Sequence, residues 1–329
     1  MKMDGKQQPL LCIVGQTASG KSAVALEVAS ELGGTIIAAD SMQVYAGMDI
    51  ATAKPSPEER ARIPHRCLDL VHPDESFSVA QWLEHARAAL DEAKAASRRP
   101  IVVGGTGLYI RSLLRGLAPA PAIPESVLDT VKKMADAEKT ELLKRLAPEK
   151  WAGIDLQNMR RVDRALALAL SEEIPASSRT PQSMATKTWE TPDIMPHRMV
   201  WLQRETEDLR QRIENRVEAM FAGGIEEEYG RLIASGLRAE HTAWQALGYK
   251  EIGSWKNGEI NLGEVRRLIQ MRTWQYARRQ ATWFRKEPTA TALRVRHDET
   301  PAETAERILT PDSDILKSLG KKVGDKEMG

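Results

Sequence analysis

Short apolar runs separated by polar, helix-forming segments predict alternating strands and helices in the first half of the chain. Residues 10–14, 35–39 and 100–103 form runs rich in β-branched and other apolar side chains, and residues 199–202 form a similar run later. Runs of this length and character are typical of parallel strands buried on both faces. Residues 68–71 indicate one further short strand.

Helical spacing of apolar side chains fills the intervals between these runs. A helical pattern follows the first strand directly, and Ser78 with Gln81 has the spacing of a capping box that opens a helix to about Ala96. Later in the chain, apolar positions recur at helical spacing from Glu205 until Gly223. Strands that alternate with helices predict an α/β fold with a parallel sheet and helices on both faces. The motif G-x-x-x-x-G-K-[ST] at residues 15–22, after the first strand, indicates a sheet of the phosphate-loop NTPase or kinase type.

The sequence changes in character after Leu117, where prolines and two helical patterns replace the alternation of strands and helices. The helical patterns cover about residues 125–146 and 157–171. Prolines flank them on both sides, at Pro119, Pro121, Pro124, Pro175, Pro181, Pro192 and Pro196. Because proline breaks regular structure, this stretch is expected to be a separate helical insert.

These boundaries divide the chain into a core and an insert. We expect a phosphate-loop core formed by residues 1–118 and 197–309, with a small helical insertion domain at residues 119–196. Residues 310–329 are polar and mixed in charge, which predicts a flexible tail.

The composition is that of a globular protein. Of 329 residues, 42% are hydrophobic and 28% are charged, and no run of about eighteen apolar residues is long enough to span a membrane. We therefore expect a cytoplasmic protein with no membrane partner. The two cysteines, Cys12 and Cys67, lie in apolar runs, which favours buried thiols over a disulfide or a zinc site.

The strongest chemical signal is the motif G-x-x-x-x-G-K-[ST] at residues 15–22, between the first strand and its helix. Glycines at both ends let successive backbone N–H groups point inward, and the helix adds the positive end of its dipole. Lys21 is suited to neutralise outer phosphates, and the Ser22 hydroxyl to bind Mg²⁺. The alternative is a glycine-rich turn without a ligand.

Polar side chains follow two other predicted strands at the point where each strand ends. Asp40 comes directly after residues 35–39, and Thr106 follows residues 100–103 by two glycines. Ligands of parallel sheets bind beyond the carboxyl ends of the strands, so these two side chains are expected to meet the phosphate motif at one pocket. Alternatively, Asp40 is a turn residue and Thr106 a helix cap.

Basic residues are concentrated near the end of the chain. Between Val265 and Arg296 nine lysines and arginines face a single acidic residue, and Arg272, Arg279 and Lys286 share one helix face with aromatic residues interspersed. Basic and aromatic side chains together suit the phosphates and unpaired bases of single-stranded RNA. A solvated charged face with its aromatic residues in the core is the alternative.

A series of ordered segments resembles the tRNA dimethylallyltransferases, also called tRNA isopentenyltransferases. The matching segments are G-Q-T-A-S-G-K-S (15–22), D-S-M-Q-V-Y-A-G-M-D-I-A-T-A-K-P (40–55), P-H-R-C-L-D-L (64–70), V-G-G-T-G-L-Y-I (103–110), R-R-V-D-R-A-L (160–166), R-I-E-N-R-V-E-A-M (212–220), L-G-Y-K-E (247–251) and R-R-Q-A-T-W-F-R (278–285). A phosphate loop alone occurs with many activities, whereas this series is specific to one.

The resemblance implies transfer of a dimethylallyl group from dimethylallyl diphosphate to N6 of the adenosine 3′ of a tRNA anticodon, with release of diphosphate. It implies Asp40 and Thr106 as catalytic residues and Mg²⁺ at Ser22. The implied diphosphate-binding residues are Gly15, Thr17, Ala18, Ser19, Gly20, Lys21, Ser22 and Arg216. The implied tRNA-binding residues are Asp40, Ser41, Met42, Gln43, Arg160, Arg161, Arg164, Gln245, Gly248, Tyr249, Lys250, Arg278, Arg279, Gln280, Trp283 and Arg285. The anticodon stem-loop and dimethylallyl diphosphate are the expected partners, and no protein partner is indicated.

Three positions depart from the pattern of this family. Gln16 stands where many members have proline, which we expect to matter little because the loop acts through its backbone. Gly107 replaces a larger residue and is expected to loosen the turn after Thr106, and Leu128 stands where some relatives carry an arginine.

Two functions of other classes compete with the transferase. A phosphate-loop kinase of a small metabolite is predicted by the same loop, sheet and insert, but has no use for the basic aromatic segment. A GTPase-like RNA-binding module is disfavoured because no guanine-reading N-K-x-D segment is evident.

Overall fold

A computed structural model describes residues 9–117, 123–156, 159–172 and 192–310. The strands are β1 (Leu10–Gly15), β2 (Gly34–Ala39), β3 (His65–Arg66), β4 (Arg99–Gly104), β5 (His197–Gln203) and β6 (Ala290–Arg294). The helices are α1 (Lys21–Leu32), α2 (Pro57–Arg62), α3 (Val79–Ala95), α4 (Gly107–Arg115), α5 (Glu125–Lys133), α6 (Asp136–Leu146), α7 (Pro148–Gly153), α8 (Met159–Glu172), α9 (Thr206–Ala222), α10 (Ile225–Ala234), α11 (Tyr249–Lys256), α12 (Leu262–Arg285) and α13 (Pro301–Leu309). A short 3-10 helix covers Thr242–Gln245.

The six strands form one parallel sheet in the order β3-β2-β4-β1-β5-β6. Strand β1 lies in the middle of the sheet, where Ile13 pairs with Val103 on one side and with Val200 on the other. The predicted α/β fold is thus confirmed. Since all strands run the same way, the residues that follow β1, β2, β4 and β5 reach a common edge of the sheet.

Both faces of the sheet are buried against helices. On one face, alternate strand residues such as Ile13, Ile36 and Val200 pack with α1 and α13 in a continuous apolar cluster. On the other face, Trp82 of α3 donates its indole N–H to the carbonyl of Ala38 at 3.0 Å and stacks on Tyr109 of α4. These layers hold the carboxyl edge of the sheet in a fixed position.

One predicted strand was misplaced, and one strand of the sheet was not predicted. Residues 68–71 were expected to form a strand, but the strand is β3, because Cys67 and Asp69 have positive φ angles of 64° and 53° that end regular pairing. Val71 makes only an isolated bridge with Tyr45. Strand β6 at the other edge was not predicted, since only Leu293 of its five residues is buried.

Residue contacts divide the chain into two compact units. One contains residues up to Gly116 and from Asp193 onward, and the other contains residues 117–192. The second unit has helices α5 to α8 and its own apolar core around Val131, Leu143 and Leu166. Pro119, Pro121, Pro175 and Pro181, and residues 311–329 of the predicted tail, lie outside the described residues.

None of the helices in the described ranges combines the length and apolar character needed to cross a bilayer. Cys12 and Cys67 are both buried free thiols, as expected, and burial raises the pKa of each thiol to about 12.

Candidate active site

A cavity of about 440 Å³ opens at the carboxyl edge of the sheet, and we call it the central cavity. The phosphate motif forms one wall, and residues 40–43 after β2 form another. Arg216 of α9 and one turn of α12, with Tyr276, Arg279 and Gln280, also line the cavity, together with residues 51–53 and 245–247. Segments separated by more than two hundred residues of sequence therefore meet at one site.

The phosphate motif has the backbone conformation that its glycines predict. Gly20 precedes α1 in the left-handed region with φ 89°, which glycine adopts at little cost. A Cβ atom on Gly15 would lie 2.8 Å from the Ser19 hydroxyl oxygen, so a side chain there would disrupt the loop. Because α1 begins at Lys21, its first N–H groups are available to an anion at the loop.

The predicted diphosphate-binding residues divide into those that line the central cavity and those that support it. Thr17, Ala18, Gly20, Lys21, Ser22 and Arg216 line the cavity. Gly15 and Ser19 are buried, and the backbone carbonyl of Ser19 accepts a hydrogen bond from Arg204 Nε at 3.0 Å. Arg204, which follows β5, was not predicted, although it occupies a strand end at the same edge.

Lys21 and Arg216 place positive charge beside the phosphate loop in the central cavity. Arg216 donates to the Thr17 hydroxyl at 3.1 Å and to the carbonyl of Ala51 at 3.2 Å. Lys21 donates to the carbonyl of Gln16 at 3.2 Å. Burial lowers the pKa of Lys21 to about 8, with Asp40 acting to raise it and Arg216 to lower it. A bound anion would therefore stabilise the charged forms of Lys21 and Arg216.

Asp40 lies in the same cavity, held by its own turn. Its Oδ1 accepts hydrogen bonds from the backbone N–H groups of Met42 at 2.9 Å and Gln43 at 3.4 Å. In the part of the chain that the structure describes, its second oxygen has no hydrogen-bond partner. The turn role that the sequence left open is therefore present, and it leaves one carboxylate oxygen available for chemistry in the cavity.

Thr106 joins the end of β4 to the turn that contains Asp40. Its hydroxyl oxygen accepts a hydrogen bond from the backbone N–H of Ser41 at 3.1 Å. Thr106 is the residue before α4, but its side chain makes no capping hydrogen bond to that helix. The helix-cap alternative is therefore wrong, and the threonine instead fixes the position of residues next to Asp40.

Tyr276 of α12 is a cavity residue that the sequence did not single out. It lines the central cavity together with Asp40 and Gln280. Burial and the charge of Asp40 raise its pKa above the usual range, so its hydroxyl stays protonated. Its position one helical turn before Gln280 was the available signal, because residues four apart share a helix face.

Gln280, which the family resemblance implied as a tRNA contact, lies inside the protein. Its Oε1 accepts from the Thr17 backbone N–H at 2.7 Å, and its Nε2 donates to the Gly105 carbonyl at 3.1 Å. The side chain is buried, which favours a positioning role over contact with RNA. The expectation that the side chain of Gln16 matters little needs correction as well. This side chain is also buried, and it donates a hydrogen bond to the Ala277 carbonyl at 3.2 Å.

Tyr249 is also buried, and its hydroxyl donates to Glu228 Oε1 at 2.7 Å. The same carboxylate accepts backbone N–H groups of Asp49, Ile50 and Ala51 at 2.7, 2.7 and 3.0 Å. Glu228 thereby fixes the loop whose Ala51 carbonyl binds Arg216. Contact between the Tyr249 side chain and tRNA is not compatible with this burial.

The remaining predicted tRNA-binding residues of the first unit are mostly accessible. Gln245, Lys250, Arg278, Arg279 and Arg285 are exposed, while Ser41, Met42 and Gln43 are half-buried. Gly248 is buried, with φ 113°, at the start of α11. Arg160, Arg161 and Arg164 belong to α8 of the second unit, where Arg161 and Arg164 are exposed.

Trp283 packs over the first turn of α4. A Cβ atom on Gly107 would lie 2.2 Å from the indole ring of Trp283, and the guanidinium of Arg111 lies 4.3 Å from the ring centroid. The space left by Gly107 is therefore filled by the indole, and the expected loosening of this turn does not occur. Leu128, on α5 of the second unit, is partly exposed.

A parallel sheet with a glycine-rich anion loop at its carboxyl edge defines the molecule as a phosphate-loop α/β protein. A family model described as IPP transferase matches residues 43–287, and one described as isopentenyl transferase matches residues 8–69. The chain belongs to the IPP transferase family.

Individual relatives match over most of their length. A tRNA dimethylallyltransferase of Geobacter sulfurreducens is 40% identical over 289 residues, which cover 86% of this chain and 91% of that protein. One of Geobacter metallireducens is 42% identical over 294 residues, covering 87% and 92%. The crystal structure of a tRNA isopentenylpyrophosphate transferase from Staphylococcus epidermidis has a TM-score of 0.65 at 31% identity, covering 96% of this chain and all of that one.

Proposed function

We infer that this protein transfers a dimethylallyl group from dimethylallyl diphosphate to N6 of the adenosine 3′ of a tRNA anticodon. The observation that carries the inference is that Asp40 and the phosphate loop line one cavity. Substrates bound in this cavity therefore meet both a proton acceptor and a binding site for the diphosphate leaving group. Relatives that carry the name tRNA dimethylallyltransferase support the transferase over the small-metabolite kinase.

The reaction forms one bond and breaks another. The N6 atom attacks the terminal allylic carbon, a carbon–nitrogen bond forms, and the carbon–oxygen bond to the diphosphate breaks. Asp40 accepts the proton that N6 loses, and such a positioned base typically contributes about 10²- to 10⁴-fold in rate. Lys21, Arg216 and the loop N–H groups stabilise the negative charge that develops on the departing diphosphate.

We propose that RNA reaches the cavity along α12. The exposed side chains of Arg278, Arg279 and Arg285 on this helix provide positive charge for phosphates, and Arg279 also lines the cavity. The target adenosine must leave its stack to enter, as bases do in other enzymes that modify them. Contacts from α8 of the second unit, and a cytoplasmic location, stay predictions.

The residues present are compatible with Mg²⁺. Within the described residues, no group of three histidine, cysteine, aspartate or glutamate side chains could hold a metal ion alone. Mg²⁺ commonly binds through substrate phosphates, waters and one or two protein oxygens, and Ser22 offers a hydroxyl next to the loop. When bound with diphosphate, the ion would neutralise part of the charge of the leaving group.

The experiment that tests this function is transfer to an anticodon stem-loop RNA, with Asp40→Asn as the matched variant. Asparagine can accept the Met42 N–H as aspartate does, so the turn is kept while the base is lost. We expect N6-dimethylallyladenosine from the wild-type protein and a loss of about 10²-fold or more in single-turnover rate from the variant. Equal rates would remove Asp40 as the base, and absence of product from the wild-type protein would refute the function.

A further inference from the structure

Helix α12 is in direct contact with the phosphate loop through two glutamines. Gln16 of the loop donates to the Ala277 carbonyl at 3.2 Å, and Gln280 accepts the Thr17 N–H at 2.7 Å. Gln280 also donates to the Gly105 carbonyl at 3.1 Å, which ties the loop to the end of β4. Three hydrogen bonds therefore join one turn of the helix to two strand ends.

We propose that Gln16 and Gln280 are positioning residues that hold the phosphate loop in its diphosphate-binding conformation from helix α12. The inference rests on the proposed function, because it assigns these side chains a part in binding the leaving group. Neither residue needs to touch the diphosphate. Each acts through the backbone of the loop or of the helix.

The loop needs support from outside because its own conformation is unfavourable. Ala18 has a φ angle of 62°, in the left-handed region, which costs a residue with a Cβ atom about 1–2 kcal/mol. Within the loop, the Ser19 N–H donates to the Gln16 carbonyl at 3.2 Å, which leaves the buried Ser19 hydroxyl without a hydrogen-bond partner among the described residues. Hydrogen bonds from neighbouring elements can offset these costs.

The packing around Gln280 leaves its amide little freedom. A Cβ atom on Gly105 would lie 2.1 Å from Gln280 Nε2, so the amide fits against a position that only glycine leaves open. Gln280 is 5% exposed and Gln16 is 8% exposed. Buried hydrogen bonds of this kind leave an unsatisfied polar group when one partner is removed, and water cannot easily replace it.

The orientation of Thr17 connects this contact to diphosphate binding. Because its N–H points toward Gln280, its hydroxyl is available to accept from Arg216 at 3.1 Å. Arg216 is one of the cationic side chains that line the cavity. A loop that relaxed away from Gln280 would move both the loop N–H groups that follow Thr17 and the guanidinium that contacts it.

The test compares Gln16→Met and Gln280→Met with Gln275→Met, the same change at an exposed position of α12. Methionine keeps the shape of glutamine without its amide. Titration with inorganic diphosphate and, separately, with the stem-loop RNA gives two dissociation constants for each protein. We expect the constant for diphosphate to rise about tenfold in the first two variants, the size of a lost buried hydrogen bond. The RNA constant and the control should stay within about twofold of wild type.

Steady-state kinetics provide a readout that a general loss of structure would not give. A mispositioned loop binds dimethylallyl diphosphate more weakly and also stabilises the departing diphosphate less well, so KM for dimethylallyl diphosphate should rise while kcat falls. Partial unfolding would instead lower kcat at constant KM. Unchanged diphosphate affinity in both variants, or an equal loss of RNA affinity, would overturn the proposal. A wild-type protein that binds diphosphate but forms no product would refute the proposed function alone.

Discussion

The backbone N–H of Ser41 donates to the hydroxyl oxygen of Thr106 over 3.1 Å, which joins the ends of β2 and β4 across the sheet. Ser41 follows Asp40 directly, so this bond fixes the backbone next to the proposed base. The position of Asp40 thus depends on the ends of two strands that are 65 residues apart in sequence.

Replacement of Thr106 by valine should therefore reduce the rate of transfer. Valine keeps the shape but cannot accept from Ser41, and a slight shift of Asp40 should lower kcat by about 10- to 100-fold. We expect a loss of about 1 kcal/mol in the free energy of unfolding. Turnover on the stem-loop RNA and urea unfolding measure the two effects. Thr106→Ser, which retains the hydroxyl, should restore most of the rate, and wild-type turnover in Thr106→Val would contradict this role.

Affinity for diphosphate should depend on pH through Lys21. Burial lowers the pKa of the free side chain to about 8, and a bound polyanion must raise it because it stabilises the ammonium. Binding then takes up a proton above pH 8, so the affinity falls as pH rises, by up to about tenfold per unit. Below pH 8 the lysine is charged in both states and contributes no slope.

Calorimetric titration with inorganic diphosphate between pH 6 and 10 measures this dependence. Lys21→Gln serves as the control, because titration of diphosphate itself affects both proteins equally. The variant should bind more weakly throughout and show a flatter profile above pH 8. Parallel profiles for the two proteins would exclude Lys21 as the titrating group.

Arg279→Ala should weaken RNA binding without affecting diphosphate. The arginine is exposed at the cavity, 5.8 Å above the ring of Tyr276. If it neutralises one phosphate, its loss should lower the slope of log affinity against log salt by about one. Filter binding of the stem-loop at several salt concentrations measures the slope. Arg87→Ala, at an exposed position of α3, is the control, and an identical slope in both variants would assign Arg279 to a solvated surface.

Gly107→Ala should destabilise the fold by displacing Trp283. The added Cβ atom would lie 2.2 Å from the indole, so the ring must move, at a cost of about 1–3 kcal/mol in unfolding free energy. Gly230→Ala is the matched control, because no atom lies within 4 Å of a Cβ at this helical position and alanine is the better helix former. Urea unfolding should show opposite signs for the two variants. Equal effects would show that Trp283 moves at no cost.

Most of the sheet could be predicted because its strands carry local signals. Strands β1, β2, β4 and β5 are continuous apolar runs, and the capping box at Ser78 marks the start of α3 at Val79. Strand β6 lacks such a run because it lies at the sheet edge and buries one side chain. The two short helices α5 and α6 were predicted as one pattern, and Met134 in an extended conformation separates them.

The residues of the candidate site could be predicted where their chemistry depends on a short segment of sequence. They could not be predicted where their position depends on packing between elements that are distant in sequence. The phosphate loop follows from its glycines and Lys21, since backbone geometry and charge are local properties. The positions of Tyr276 and Gln280 depend on how α12 packs, and Gln280 contacts Thr17 across 263 residues of sequence. The spacing of apolar residues along the sequence does not predict that contact. For the same reason, the sequence did not predict that the buried Glu228 carboxylate accepts hydrogen bonds from the N–H groups of residues 49–51.

The supports of the phosphate loop are synthesised long after the loop itself. Ser19 and Thr17 are held by Arg204, Arg216 and Gln280, which follow them by 185, 199 and 263 residues. A nascent chain that has reached the helical insert on the ribosome therefore contains the motif but none of these contacts. We expect ligand affinity to arise only once α12 has emerged from the exit tunnel and packed against β1.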